Sequence, residues 1–268
     1  MVWAKKPKKI NSPFVLGLIG KSLNYSFSPY FFSVHLESLN LKSSFEYSAF
    51  ELSSLTGFRE WVAKIHPLGL NVTIPFKESI LEFADFHSQE VLEIGAANTL
   101  LFKEDGSISA FNTDCIGFEK SLFEIRKPSE FSKALILGTG GASKAIQFVL
   151  KSNRIPFDMA GRDPSMSDIP FKELYNLDLI EYDLIINCTP LGTFPTIDES
   201  PPILYKSLKK KHLAFDLVYN PSPSLFLSKA LNQGCTIQNG QRMLEIQALS
   251  SWDIWFQYIV TKEEGLFL

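Results

Sequence analysis

The sequence predicts an α/β protein with two sheets, mixed in the first half and parallel in the second, and three observations carry that prediction. An apolar run of β propensity, residues 134–137, meets Gly138-Thr139-Gly140-Gly141 and then a stretch of helical composition and apolar spacing, Ala142 to Leu150. That is strand, glycine turn, helix. Beyond it, apolar strands alternate with helical segments, as in a parallel sheet with helices outside. Before it, two short strand patterns flank Asp105-Gly106, a hairpin turn that brings antiparallel pairing into the first half.

Glycines at 138 and 140 let the backbone turn sharply and let an anion approach the amides, while the following helix offers unpaired N–H groups and the positive end of its dipole. A diphosphate fits there, which makes the second half Rossmann-like. Ser143 stands where a third glycine is usual. On this stretch alone, a tight turn without a ligand is the alternative.

In chain order, residues 14–20 predict a strand. Ser28-Pro29 then predicts a helix start, with Ser28 as N-cap, and Phe31, Phe32, His35, Leu36 and Leu39 form one apolar face on which His35 is expected as a packed core residue. Residues 45–50 have a strand pattern. Leu55, Phe58, Val62 and Ile65 mark a helix ended by His66-Pro67. Strands follow at 68–73, 98–103 and 107–111, the first turned by Ile74-Pro75-Phe76 towards Lys77, then a helix over 115–125. After the glycine stretch come strands at 156–160, 184–188 and 213–218, a helical segment near Phe171, a helix over 224–232 stopped by Gly234, a short strand at 236–238 and a long helix from about Met243 to Tyr258. The expected division is 1–114, 115–239 and a C-terminal helical segment, 240–268.

A chain of 268 residues, 45% hydrophobic, can build a core in each half. The net charge of −3 gives no electrostatic reason to expect nucleic acid. Cys115, Cys188 and Cys235 are odd in number and far apart, without CxxC, so they are expected to be structural, with no metal. Lys5, Lys6, Lys8 and Lys9 precede an apolar run too short and glycine-broken for a signal peptide, and no stretch approaches a membrane span. A soluble, cytoplasmic protein acting on a small molecule is expected.

Polar side chains gather at the strand ends: Ser26, Ser28, Asn71, Thr73, Lys77, Asn98, Thr99, Asn112, Thr113 and Asp114. Singly, such residues cap helices or fix turns. At the end of the second strand of the parallel half, Gly161-Arg162-Asp163 sends mixed signals, since a carboxylate there pairs with the 2′-hydroxyl of NAD and an arginine accommodates the 2′-phosphate of NADP.

Together, residues 26–29 (SFSP), 71–77 (NVTIPFK), 95–99 (GAANT), Asn112-Thr113-Asp114 with Gly117, 138–141 (GTGG), 187–190 (NCTP) with Gly192, Asp216 with Tyr219, and Met243-Leu244 with Gln247 resemble, in order, the shikimate dehydrogenases. The resemblance implies two domains with the last helix returning to the first, an active site in the cleft between them, and reversible reduction of 3-dehydroshikimate to shikimate by NADPH in aromatic amino acid biosynthesis. It implies that Ser26 and Ser28 bind the substrate carboxylate, with Tyr219 near that end. Thr73, Asn98, Asp114 and Gln247 bind ring hydroxyls, Lys77 and Asp114 form the catalytic pair, and Gly138, Thr139, Gly140, Gly141, Ala142, Arg162, Thr189 and Gly240 hold the cofactor.

Two departures from the family's pattern stand out. Phe32 and Ser33 replace a usual histidine and asparagine, and Gly161 precedes Arg162 where asparagine is usual, with no second basic residue nearby. NADP is favoured, with NAD open. A quinate/shikimate dehydrogenase and a non-catalytic dinucleotide-binding sensor are the rivals, and the chain is expected as a monomer or homodimer.

Overall fold

A computed structural model describes residues 13–24 and 26–264, so the expected basic tail lies outside the described residues. By its contacts the chain forms two compact units, one running up to Thr113 and resuming at Gln247, the other spanning Asp114–Ile246.

The first unit holds β1 (Phe14–Gly20), α1 (Ser28–Ser38), β2 (Phe45–Glu51), α2 (Phe58–Ile65), β3 (Pro67–Val72), β4 (Phe86–His87), α3 (Gln89–Ile94), β5 (Thr99–Phe102) and β6 (Ile108–Phe111). Its sheet runs β2-β1-β3-β5-β6-β4. β1 pairs parallel with β2 and β3, while β5 pairs antiparallel with β3 and β6, so the sheet is mixed as expected. The β5–β6 hairpin turns at Gly106, whose φ of 82° lies in the left-handed region that glycine tolerates.

α4 (Thr113–Phe123) leads into the second unit, which continues with β7 (Ala134–Leu137), α5 (Gly141–Ser152), β8 (Phe157–Gly161), β9 (Ile169–Pro170), β10 (Leu184–Asn187), β11 (Leu213–Asp216), α6 (Leu225–Asn232) and β12 (Thr236–Gln238). Every pairing in its sheet is parallel, in the order β12-β11-β10-β7-β8-β9. Taken from β9, that is the doubly wound order 3-2-1-4-5-6, whose direction reverses between β7 and β10. Both β7 and β10 are buried throughout, as strands covered on two faces must be.

The last helix, α7 (Gln241–Glu264), starts earlier and ends later than its apolar spacing suggests. Its first turns fall with the second unit, where Arg242 grips Glu124, with Nε donating to Oε2 at 2.9 Å and to Oε1 at 3.2 Å and Nη2 donating to Oε1 at 2.6 Å. From Gln247 it belongs to the first unit. There Trp252 and Trp255, both fully buried, share a cluster with Leu16, Phe32, Phe45 and Leu101 on one face of the sheet. The opposite face buries Ile19, Phe58, Leu70, Val72, Ile80 and Leu100, so the adjacent Leu100 and Leu101 of β5 serve the two sides of the pleat. His35 is indeed packed, its ring 6.0 Å from Phe31 and 5.5 Å from Trp252, centroid to centroid.

Ser28 departs from expectation. It is the first residue of α1 and not its N-cap, a place taken by Phe27 without a side-chain bond. The Phe27 carbonyl already accepts from the Phe31 amide at 3.0 Å, so the helix starts one residue before the expected cap. β11 stops at Asp216, short of the expected 218, because the Asp216 carboxylate folds forward onto the Val218 amide at 3.0 Å.

Candidate active site

In the second unit the site begins at the reversal of strand order, where the ends of β7 and β10 open a crevice. Gly138 leaves β7 with φ 110°, and a Cβ there would lie 3.0 Å from Thr189 Cγ2 and 3.3 Å from the Cys188 carbonyl carbon. The glycine loop and the 187–190 turn are thus in close apposition. Gly140 is the N-cap of α5, without a side-chain cap, and a Cβ on it would meet nothing within 4 Å. Open space over the uncapped start of a twelve-residue helix is what a diphosphate requires. Ser143, in the third-glycine place, is buried and donates to the Gly140 carbonyl at 2.7 Å, so it braces the turn. The residues fit the cofactor.

At the end of β8, a Cβ on Gly161 would lie 2.7 Å from Thr139 Cγ2, which explains glycine there: the Thr139 methyl occupies the room. The mixed signal of Arg162 and Asp163 resolves locally. Asp163 Oδ1 accepts from the Ser165 amide at 2.9 Å and the Ser165 hydroxyl at 2.7 Å, which holds its carboxyl below the usual carboxylate range and commits it to its own turn. Arg162 is exposed and has no hydrogen bond or ion pair among the described residues. Gly240 is glycine for a packing reason, since a Cβ would come within 2.2 Å of the Leu217 carbonyl oxygen. Tyr219 lies half-buried beyond β11, and burial with the nearby Asp216 charge pushes the Cys188 thiol up, consistent with an inert, structural cysteine.

In the first unit, one buried polar network joins β3, β5, the start of α4 and α7. Asn71 Nδ2 donates to Ser251 Oγ at 2.9 Å, Thr99 Oγ1 at 3.2 Å and the Asn98 carbonyl at 3.2 Å, while its Oδ1 accepts from Tyr47 at 2.8 Å. Asn98 Nδ2 donates to Thr113 Oγ1 at 3.0 Å and Gln247 Oε1 at 3.2 Å, and its Oδ1 accepts from the Thr113 amide at 2.7 Å. Burial raises the Tyr47 phenol's pKa, so it stays a neutral donor. Of the expected residues, Asn98 and Gln247 are therefore brought into direct contact. Tyr47 and Ser251 join them unforeseen, although Ser251 lies one helical turn after Gln247 and that spacing was a usable signal.

Ser26 and Ser28 stand at the entrance to α1, where Ser26 Oγ accepts from the Ser28 amide at 3.4 Å. Thr73 follows β3, with its amide bonded to Ile19 and its carbonyl to the Phe76 amide, a turn that delivers Lys77. The Lys77 carbonyl accepts from the Ala97 amide at 2.8 Å, which ties the lysine's backbone to the segment carrying Asn98. Asp114 is buried in the first turn of α4, where the helix dipole favours a negative charge.

Among known proteins, the family model described as shikimate dehydrogenase substrate binding domain matches residues 18–100. A Clostridium botulinum protein named shikimate dehydrogenase (NADP(+)) is 35% identical over 250 residues, 90% of this chain and 96% of its own length. Among solved structures, shikimate dehydrogenase 1 from Peptoclostridium difficile superposes with a TM-score of 0.81 at 32% identity, covering 91% of this chain and 92% of its own. Shikimate 5-dehydrogenase from Thermus thermophilus, in complex with NADP(H) and shikimate, gives a TM-score of 0.77 at 30% identity over 90% of this chain and 93% of its own. With that identity sustained along nine-tenths of its length, the chain belongs to the shikimate dehydrogenase family.

Proposed function

We propose that this chain is an NADP-dependent shikimate dehydrogenase, interconverting 3-dehydroshikimate and shikimate in aromatic amino acid biosynthesis in the cytoplasm. The observation that carries the reading is the uncapped glycine-loop helix beside an uncommitted Arg162, in a chain whose other unit presents the Asn98–Gln247 network.

Bound NADPH supplies the hydride. Negative charge then develops on the ketone oxygen, and Lys77 donates the proton that quenches it. In the reverse direction the Lys77 amine takes that proton back. Asp114, acceptor-only when ionised, receives a hydrogen bond from a ring hydroxyl, and Thr73, Asn98 and Gln247 bind the others. Ser26 and Ser28 donate to the substrate carboxylate, with Tyr219 near that end. Arg162 takes the adenosine 2′-phosphate, while Gly138 to Ala142, Thr189 and Gly240 shape the cofactor's seat.

The test is absorbance at the reduced nicotinamide band with shikimate or quinate paired with NADP⁺ or NAD⁺. Turnover with shikimate and NADP⁺ alone supports the proposal. Comparable turnover with quinate or NAD⁺ replaces it with a broader dehydrogenase, and silence in all four pairings with cofactor binding intact makes the chain a sensor.

A further inference from the structure

Asp216 is fully buried at the end of β11, and a buried carboxylate must be compensated by donors. Three reach it: Ser224 Oγ at 2.5 Å, the Val218 amide at 3.0 Å and Asn187 Nδ2 at 2.9 Å. The first two are explained by the local fold, since Ser224 is the N-cap of α6 and Val218 follows the strand end. The third leads elsewhere. Asn187 Oδ1 accepts from the Thr189 amide at 3.0 Å and from Thr189 Oγ1 at 2.6 Å. An ionised carboxylate only accepts, so Asp216 fixes the nitrogen end of the Asn187 amide towards itself and the oxygen end towards Thr189. Thr189 in turn presents its methyl to Gly138, at the mouth of the β7–β10 crevice.

We propose that Asp216 is the positioning residue of the cofactor site: by polarising Asn187 it orients Thr189 and sets the width of the crevice in which, on the functional reading above, NADP is held. Asp216 touches neither cofactor nor substrate. Its action passes through an amide whose two ends differ only in donor and acceptor character, and an isosteric change of charge reverses that character.

The experiment is calorimetric titration of the full chain with NADP⁺, alongside the thermal midpoint of each protein. In Asp216→Asn, if the new amide nitrogen faces Asn187 Nδ2, two donors meet; if it faces Ser224, that hydroxyl loses its acceptor and the charge-assisted hold on Asn187 goes. Either way Thr189 is released or loosened, and the NADP⁺ Kd is expected to rise about tenfold. The exchanged pair Asn187→Asp with Asp216→Asn restores an acceptor facing Thr189 and a donor-to-acceptor contact between the two positions, losing the bond from Val218 and the long 3.4 Å donation from position 187 to the Leu191 carbonyl. It is expected to bind within about threefold of wild type. A purely structural Asp216 would lower the thermal midpoint and leave the Kd unmoved. A D216N Kd within twofold of wild type overturns the proposal, as does an exchanged pair that binds about tenfold more weakly or does not fold. A wild-type protein that binds no NADP⁺ refutes the functional reading instead.

Discussion

Trp255 lies across Gly69. A Cβ at position 69 would fall 2.2 Å from the indole Nε1, which donates to the Leu100 carbonyl at 2.9 Å, so the indole spans β3 and β5 at a point where the sheet has no side chain. Gly69→Ala is expected to destabilise the protein by about 1–3 kcal/mol through overpacking. Trp255→Ala, which empties the site, is expected to cost about 3–5 kcal/mol. Urea denaturation measures both, and an unchanged Gly69→Ala midpoint would contradict the close approach.

Lys77→Ala is expected to lower kcat by about 10²–10⁴, the usual worth of a positioned acid–base group, with little change in NADP⁺ KM. The fold should survive, because the bond from the Ala97 amide goes to the backbone carbonyl that alanine retains. A near-normal kcat removes Lys77 from the proton-donor role.

Arg162→Ala is expected to raise the NADP⁺ KM by about 10-fold or more and to leave the NAD⁺ KM almost unchanged, since a hydrogen-bonded charge pair is worth about 1.5–3 kcal/mol. Equal changes for the two cofactors would show that another group reads the 2′-phosphate.

Burial pushes the Asp216 carboxyl up to about 6 from an ordinary 3.8, against the pull of Ser224, Val218 and Asn187. The other titratable groups in its field, Cys188 and Tyr205, are themselves pushed up by burial and stay neutral. The folded state therefore holds this proton more tightly than the unfolded chain. The stability from that preference is fully present below the unfolded value and is lost as pH rises through about 6, an effect on the order of 3 kcal/mol. Asp216→Asn lacks the term. Urea midpoints of both proteins should thus move in favour of wild type as pH falls from about 7 to about 4, and a pH-independent difference would rule the coupling out.

Much of this was legible along the chain because it depends on local chemistry. The β7–Gly138–α5 turn, the Gly106 hairpin and the α6 stop at Gly234, with φ 83°, are written in residues that sit next to one another. What was not legible depends largely on partners far away in sequence. Ser28 reads as a cap until the Phe27 carbonyl is seen to take the first helical bond, from the Phe31 amide. Gly69 reads as a weak spot in a strand until Trp255 covers it. Asp163 competes with Arg162 for the cofactor until its carboxylate is seen bonded to Ser165. The two-residue strands β4 and β9 are too short to show a period, and α7 is buried on several sides, so its apolar residues mark no clear boundary. The polar network was legible at Asn98 and Gln247 and in the gathering of Asn71, Thr99 and Thr113 at the strand ends, whereas Ser251 showed only its one-turn spacing from Gln247 and Tyr47 carries no signal apart from its contact with Asn71.

The first unit is interrupted by the whole of the second, and this sets the order in which the protein can be completed as it leaves the ribosome. Leu16, Phe32 and Phe45 are made early, but the indoles of Trp252 and Trp255 that cover them come only after Asp114–Ile246 has been translated. At about 5–20 residues per second that is a delay on the order of ten seconds, long enough for the uninterrupted parallel-sheet unit to fold. The part of the protein that starts first finishes last, and during the interval its exposed apolar sheet face is the stretch most in need of a chaperone.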